Sequence, residues 1–419
     1  MVVKKNAISE DWWSVILGFF ILALASLGII SWIPKIRSWT LNPLEVLGLT
    51  DINIIILTAI FLLFTIAIPI ATEGKKALLQ YIIGFSLLFI LSFLAILISE
   101  QTTLKNWGLE YVIWALLLGL LVNSIIGIPN WFKNIIRTEL YIKIGLVLLG
   151  AEILFQQILS AGFRGMIQAL LVVFVVWYFC YFLALKFKLN KSLACIMATG
   201  VSICGVSAAI AAGGAIKGDP KEVSFVISII LLIALPMVII MPFIARVLSL
   251  NDAVAGAWIG GTIDTTPAVV AAGELYSSEA MKYAAIVKMS QNALIGLAAF
   301  LLALYWTFKI EKKNGKPKLI EIWYRFPKFI IGFIIASLIF SFFMMPIIGN
   351  NVVNAILSIT KWFRAWFFTL AFTCIGLEIK LSEWFSIKHR KPLLVFLTAQ
   401  IFNIFLTLVL ASILFGSEF

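Results

Sequence analysis

Gly260-Gly-Thr-Ile-Asp-Thr-Thr-Pro267 lies within an apolar segment that runs from about 253 to 273. A second apolar segment, 191–216, contains a similar stretch, Thr199-Gly-Val-Ser-Ile-Cys-Gly-Val-Ser207. Glycine and proline weaken a helix, and Ser and Thr hydroxyls can bond the backbone groups that are freed. Because irregular backbone at membrane depth is tolerated only inside protein or beside a wet cavity, both segments are predicted to break near the middle of a bilayer.

The two interrupted segments also resemble each other. When one is shifted by 60 residues, six of fourteen aligned positions are identical, and Ser202 aligns with Thr262. Interrupted apolar segments that correspond to each other are a sequence pointer to a transporter's binding site. Each segment is long enough to fold back as two half-helices or to continue as a discontinuous span. If both segments fold back, one enters from the cytoplasm and the other from outside, so the two are inverted relative to each other. This inverted symmetry favours two hairpins whose tips meet at the centre of the bilayer.

The composition of the whole chain is that of a membrane protein. Of its 419 residues, 62% are hydrophobic and 12% are charged, and the mean hydropathy is +1.08. These values exclude a soluble enzyme, a disordered chain and a nucleic-acid-binding module. The predicted fold class is an all-α polytopic membrane protein with an inverted repeat: eleven transmembrane helices and two broken hairpin segments, or alternatively thirteen spans, two of them discontinuous. The thirteen apolar segments are 12–31, 52–71, 77–99, 109–128, 138–160, 163–185, 191–216, 223–249, 253–273, 278–308, 327–348, 352–377 and 392–415.

Charge in the loops predicts the orientation. With the N-terminus inside, cytoplasmic loops carry about three times as many Lys and Arg as the outer loops. We therefore predict a single multi-pass domain, 1–419, in a bacterial inner membrane, with the N-terminus in the cytoplasm and the C-terminus outside. Its parts are N-terminal helices without an assigned role (1–105), a core (109–308), a basic cytoplasmic loop (309–326) and C-terminal helices (327–415).

Charged residues inside spans are costly and mark candidate functional sites. Asp264 and Lys288 both fall near mid-depth, and Asn292 lies one turn after Lys288. Asp264 is a candidate for proton or cation coupling, because removal from water disfavours its charge; capping the next half-helix and pairing with Lys288 are the alternatives. Glu152 is a second coupling candidate or an interfacial carboxylate. The candidate substrate-binding residues are Ser202, Cys204, Gly205, Ser207, Thr262, Thr265, Thr266, Lys288 and Asn292.

Other polar positions are given structural interpretations. Lys143 is expected to reach the interface, and Lys361 and Arg364 are expected to anchor their helix beside lipid headgroups. The four cysteines lie in apolar segments without paired spacing, and the single histidine, His389, lies in a basic loop. Neither pattern indicates a disulfide framework or a metal site.

The chain resembles the YeiH-like sulfate-exporter family of bacterial inner membranes. The resemblance is carried by Lys143-Ile-Gly-Leu-Val-Leu-Leu-Gly150, by 199–212, by Gly260–Pro267 with the apolar residues after it, and by Ala285-Ile-Val-Lys288. It covers about 110 to 415 and implies a panel-plus-core architecture, related to cation/proton antiporters and bile-acid transporters, with elevator-like movement. Where the family often has an arginine, this chain reads Met289-Ser-Gln-Asn292, which puts an arginine anion clamp in doubt.

The resemblance and the polar residues together predict a secondary transporter for a small anion such as sulfate, coupled to H⁺ or Na⁺. The alternatives are a passive anion channel on the same scaffold and an antiporter of another ion. No enzymatic activity, cofactor or nucleic-acid partner is predicted: the chain has no HExxH motif and no GxxxxGK[ST] motif. The expected partners are a small anionic substrate and the lipid bilayer. Assembly into a homodimer is an alternative that the sequence leaves open.

The orientation is directly testable. In a cysteine-free background, a cysteine that replaces Lys313 is expected to react with an impermeant maleimide only after the cells are opened, because the loop between Lys309 and Lys328 contains seven Lys and Arg in all. Labelling of that cysteine in intact cells would reverse the assigned orientation.

Overall fold

A computed structural model describes residues 9–33, 36–43, 49–71, 74–106, 111–153, 155–306, 323, 326–378 and 390–416. Within these ranges the regular structure is helical, apart from one isolated bridge between Trp39 and Gln101. The predicted all-α class is therefore confirmed. Nearly all of the predicted basic loop, 309–326, lies outside the described residues.

The helices follow the predicted apolar segments. They are α1 (Glu10–Ser26), α2 (Leu49–Ala71), α3 (Lys75–Ser99), α4 (Thr102–Asn106), α5 (Tyr111–Ile125), α6 (Thr138–Glu152), α7 (Phe155–Lys186), α8 (Lys191–Ser202), α9 (Val206–Ile216), α10 (Pro220–Val247), α11 (Asp252–Thr262), α12 (Thr266–Tyr276), α13 (Ser278–Ala293), α14 (Ile295–Tyr305), α15 (Lys328–Leu338), α16 (Met345–Ile348), α17 (Asn350–Glu378) and α18 (Arg390–Phe415). A 3₁₀ turn covers Phe132–Asn134, and a π-helical turn, Ile339–Met344, joins α15 to α16.

Among the described residues, six helical stretches are long and apolar enough to cross a membrane: Ala77–Ser99, Ile158–Lys186, Lys221–Val247, Ser278–Tyr305, Lys328–Ile348 and Arg390–Phe415. Each exceeds the ~20 apolar residues that a bilayer requires. The sequence also sets where such helices begin. In α10, for example, the Asp219 side chain accepts from the backbone N–H of Lys221 (2.9 Å), and Pro220 occupies the first turn, where a missing N–H costs nothing.

The chain divides into two compact units. Unit 1 comprises the described parts of Met1–Phe155 and Lys328–Leu381, and unit 2 those of Gln156–Pro327 and Ser382–Phe419. The predicted core, 109–308, is thus distributed over both units.

Unit 1 is held together by close helix contacts and by ion pairs. A Cβ on Gly119 would lie 2.4 Å from the Thr373 carbonyl oxygen, and a Cβ on Gly376 would lie 2.3 Å from that of Leu116. These two glycines therefore let α5 and α17 approach backbone to backbone. Lys143 on α6 binds the Asp11 carboxylate at 2.9 Å and the Glu139 carboxylate at 3.3 Å. Lys143 is therefore paired within the protein, whereas the sequence predicted that its side chain would reach the membrane interface.

Unit 2 contains the two interrupted segments, and both fold back on themselves. In the first hairpin, α8–α9, a Cβ on Gly218 would lie 3.0 Å from Ser192 Oγ, so the end of the pair returns to its beginning. In the second hairpin, α11–α12, Ser277 Oγ donates to the Asp252 carboxylate at 2.5 Å, and the Tyr276 hydroxyl donates to the Leu250 carbonyl. The hairpin form that the sequence favours is present in both segments.

The hairpins point toward each other along α18. The start of the first hairpin lines one cavity with Arg390, and its tip residue Val201 accepts a long bond from Asn403 (3.5 Å). The second hairpin runs the other way, because Trp258 bonds Ile404 and Thr262 accepts from Gln400 at 2.9 Å. Since α18 has 26 residues, about 39 Å, both tips reach its middle third.

Glycine at close approaches makes the second hairpin sensitive to added volume. A Cβ on Gly260 would lie 2.5 Å from the Ala284 carbonyl oxygen of α13, whereas a Cβ on Gly214 of the first hairpin meets nothing within 4 Å. Gly260→Ala is expected to destabilise the protein by about 1–3 kcal/mol, and Gly214→Ala to leave stability unchanged or higher. Thermal unfolding in detergent measures both; equal stability of the two variants would contradict the packing described.

Candidate functional site

The candidate site is the place where the two hairpin tips meet, called here the crossing and made of Ile203–Gly205 and Ile263–Thr265. Gly205 has a φ of +63°, a conformation that glycine adopts without steric cost. A Cβ there would lie 2.8 Å from Ile230 Cγ2 and 3.1 Å from Asp264 Cβ. The two tips are therefore in direct contact, and the contact requires glycine at 205.

Side chains cap the carbonyl ends of the half-helices. Lys288 Nζ donates to the Ile203 carbonyl (2.8 Å) and to Gln291 Oε1 (2.9 Å), and Gln291 Nε2 donates to the Gly261 carbonyl (3.0 Å). The Thr262 carbonyl accepts from Gln400 at 2.9 Å. Carbonyls at the C-terminal ends of α8 and α11, which carry partial negative charge, thus find donors inside the unit at Ile203, Gly261 and Thr262.

The opposite ends of the half-helices are left open. In the described part of the chain, neither N-cap residue, Gly205 of α9 or Thr265 of α12, makes a side-chain cap bond. The first N–H groups of a helix have no partner within the helix and carry partial positive charge. Two helix N-termini therefore present N–H groups at the crossing, where the positive charge of the fully buried Lys288 adds to theirs.

Four oxygen atoms at or beside the crossing lack hydrogen-bond partners among the described residues: Ser202 Oγ, Thr262 Oγ1, Asp264 Oδ2 and Asn292 Oδ1. Each of their side chains is at most 3% exposed. Asn292 uses its amide nitrogen to bond Thr266 Oγ1 at 3.0 Å. Because an unpaired buried polar atom is costly, such a group is typical of a site that receives a polar ligand or water.

Lys288 and Asp264 do not form the ion pair that was one interpretation of the sequence. Within the described residues, the hydrogen bonds of Lys288 go to Ile203 and Gln291, and Asp264 Oδ2 has no partner. The backbone carbonyl at the broken end of α8 takes the place that the carboxylate was expected to fill. Asp264 is left as a buried carboxyl beside the first hairpin.

The comparisons with known proteins identify the family. A family model described as "Conserved hypothetical protein 698" matches residues 83–396, which include both hairpins and Lys288. The chain is 39% identical over 393 residues to a UPF0324 membrane protein of Rhodopirellula baltica, covering 92% of this chain and 72% of the relative. A UPF0324 membrane protein of Nitrosomonas europaea is 30% identical, with 90% of this chain and 89% of the relative covered.

This chain belongs to the YeiH-like family. A further relative, from Nitratidesulfovibrio vulgaris, is 38% identical over 80% of this chain, but the chain spans only 60% of that relative's length. No solved structure matches the chain. The relatives are named as membrane proteins, and six described helical stretches are long and apolar enough to span a bilayer, so the chain is a multi-pass membrane protein.

In this YeiH-like chain, most of the predicted site residues come together. Ser202, Cys204, Gly205, Thr262, Asp264 and Thr266 are buried at the crossing, with Lys288 and Asn292 beside them on α13. Thr265 is half-buried. Ser207 is exposed, so it lies apart from the buried group although it is only two residues beyond the tip.

Glu152 belongs to unit 1, where it has a partner. Arg364 Nε and Nη2 donate to its two carboxylate oxygens at 2.7 and 3.2 Å, and the guanidinium lies 5.3 Å from the Phe368 ring. Arg364 was expected to anchor its helix beside headgroups, but it is 2% exposed. Burial beside Glu152 corrects that expectation, because a buried guanidinium needs a paired carboxylate. Lys361 is exposed, as an anchor would be.

Three amide side chains at the crossing were missed by sequence reasoning. Gln400 and Asn403 reach the Thr262 carbonyl from α18, and Gln168 on α7 donates to the Ala257 carbonyl at 2.9 Å. A signal for the first two was present: Gln400, Asn403 and Thr407 recur at helical spacing within an apolar segment. No cluster of His, Cys, Asp or Glu suited to a metal ion occurs in the described ranges.

Proposed function

We propose that this protein is a secondary transporter that binds a small inorganic or organic anion, such as sulfate, at the crossing. The observation that carries the proposal is the pair of uncapped helix N-termini, those of α9 and α12, at tips that touch. Helix N-termini bind anions through free N–H groups and the positive end of the helix dipole. The carbonyl ends of α8 and α11 at the crossing have side-chain donors, whereas the N-termini of α9 and α12 have no cap bond from their N-cap residues. This difference supports an anion rather than a cation as the ligand between the helix starts.

Lys288 supplies the full positive charge in this proposal. An ammonium has three donors, and two of them are used by Ile203 and Gln291. One donor remains for an anion, together with the hydroxyls of Ser202 and Thr262, which have no partner in the described part of the chain. A tetrahedral oxyanion with several acceptor oxygens matches such a group of convergent donors.

Asp264 couples the anion to a cation in this proposal. A carboxylate within the same buried region repels a bound anion, so an occupied site disfavours the charged form of Asp264 more strongly than an empty site does. A proton or a Na⁺ ion neutralises it equally well. Anion binding is then expected to strengthen as the pH falls, because protonation of Asp264 removes a like charge.

The arrangement of the hairpins supports alternating access. Two hairpins that enter from opposite ends of a spanning helix and meet near its middle place a ligand at the bilayer midplane, as in inverted-repeat transporters. The family resemblance implies an elevator-like movement of a core against a panel, and that movement is part of this proposal. In this proposal the chain has eleven spans and two re-entrant hairpins in the inner membrane, with the N-terminus inside, and it moves its ligand without catalysing a reaction.

Calorimetry on purified protein tests the site. Lys288→Ala is expected to abolish sulfate binding and Lys288→Arg to restore it in part, because the guanidinium is planar and larger. Asp264→Asn is expected to bind sulfate without dependence on pH, because the titrating group is gone. The matched control is Lys282→Ala, which removes a cation from the same helix where it pairs with Glu279 at 2.8 Å.

Wild-type affinity in Lys288→Ala, or equal losses in Lys288→Ala and Lys282→Ala, would contradict the proposed site. A panel of sulfate, sulfite, thiosulfate, sulfonates and carboxylates identifies the anion, with thermal unfolding of each variant to confirm folding. In liposomes, saturable uptake with trans-acceleration supports a carrier, and a single-channel current would contradict it.

A further inference from the structure

A cavity with several basic lining residues lies in unit 2 at the base of the first hairpin. It has a volume of about 850 Å³ and is lined by residues that precede or begin α8, α10 and α18. Four of its lining residues are basic: Lys188, Lys221, Arg390 and Lys391. All four are exposed, and none makes an ion pair with another described residue.

The one carboxylate in the cavity wall is held by the hairpin itself. Glu222 accepts from Asn190 Nδ2 at 2.6 Å and from Ser192 Oγ at 2.7 Å. Its oxygens are thus directed to neutral donors at the start of α8 rather than to the basic side chains. The cavity keeps an excess of positive charge, and the beginnings of three helices add the positive ends of their dipoles.

Apolar side chains line the same cavity. Leu193 and Phe225 lie among the basic residues, and Pro392 follows Lys391. A cavity with both positive charge and apolar wall suits an amphiphile with an anionic head, and basic pockets between transmembrane helices are places where acidic lipid headgroups bind. A free phosphate ion would use only the basic part.

We propose that this cavity binds a phosphate group, carried by the headgroup of an anionic phospholipid. The lipid would bridge the start of the first hairpin to the starts of α10 and α18, the helices that the cavity joins. The binding site is separate from the crossing and does not depend on the transported anion. Its failure in an experiment would therefore leave the proposed function untouched.

Native mass spectrometry of the full chain in detergent tests this site. Phosphatidylglycerol is expected to bind more tightly than phosphatidylcholine, and the double variant Lys221→Gln/Arg390→Gln to lose affinity for it by about 30-fold, since each basic contact contributes ~1 kcal/mol. The control is Lys105→Gln/Lys282→Gln, which removes the same two positive charges outside the cavity, where Lys105 and Lys282 pair with Glu100 and Glu279. It should retain the lipid.

Inorganic phosphate is added in a separate arm to distinguish the two sources of the group. In one outcome, inorganic phosphate binds in the absence of lipid, its binding requires Lys221 and Arg390, and the protein binds the two lipids equally well. That outcome would support a phosphate site whose natural ligand is a free ion rather than a lipid. Equal binding of both lipids without phosphate binding, or unchanged lipid binding in the cavity variant, would overturn the proposal. Thermal unfolding of both double variants confirms that each is folded.

Discussion

A single buried ammonium joins the parts of unit 2. Lys288, on α13, donates to the broken end of the first hairpin at Ile203, and its neighbour Gln291 donates to the broken end of the second hairpin at Gly261. An unsatisfied carbonyl in an apolar environment is costly, so two interrupted helices persist only if something supplies donors at both breaks. One turn of α13 supplies donors to both breaks, and the Gln400 side chain on α18 supplies a further donor to the Thr262 carbonyl.

This capping has a directional consequence. Lys288, Gln291 and Gln400 donate to backbone carbonyls at the breaks. Among the described residues, the N-cap residues of the two helices that follow the breaks make no side-chain cap bond. The local charge balance is thus positive at the helix starts, while Asp264 contributes one buried carboxyl. A site with open donors and a titratable group can bind an anion and link that binding to a cation, which is the requirement for coupled transport.

Much of this arrangement could be predicted from the sequence, because it depends on local composition. Residue types within about 25 positions are enough to identify the apolar segments and the interruption in each of two of them. The similarity of those two segments predicted that their tips meet, and the tips are in contact. The contacts that were missed join residues far apart in the chain: Arg364 binds Glu152 across 212 positions, and Gln400 binds Thr262 across 138. The periodicity of apolar and polar residues shows which residues share one face of a helix, but it does not show which other helix packs against that face. For the same reason, the sequence suggested Asp264 as the partner of Lys288, whereas the carbonyl of Ile203 takes that position.

We propose that an anion binds between the uncapped starts of α9 and α12. Selenate is a close analogue of sulfate whose selenium gives an anomalous signal, so a crystal structure with saturating selenate locates the bound anion directly. An anomalous peak is expected within hydrogen-bonding distance of the first N–H groups of α9 and α12 and of Lys288 Nζ. A peak elsewhere in the protein, or none at the crossing while selenate is bound in solution, would contradict it.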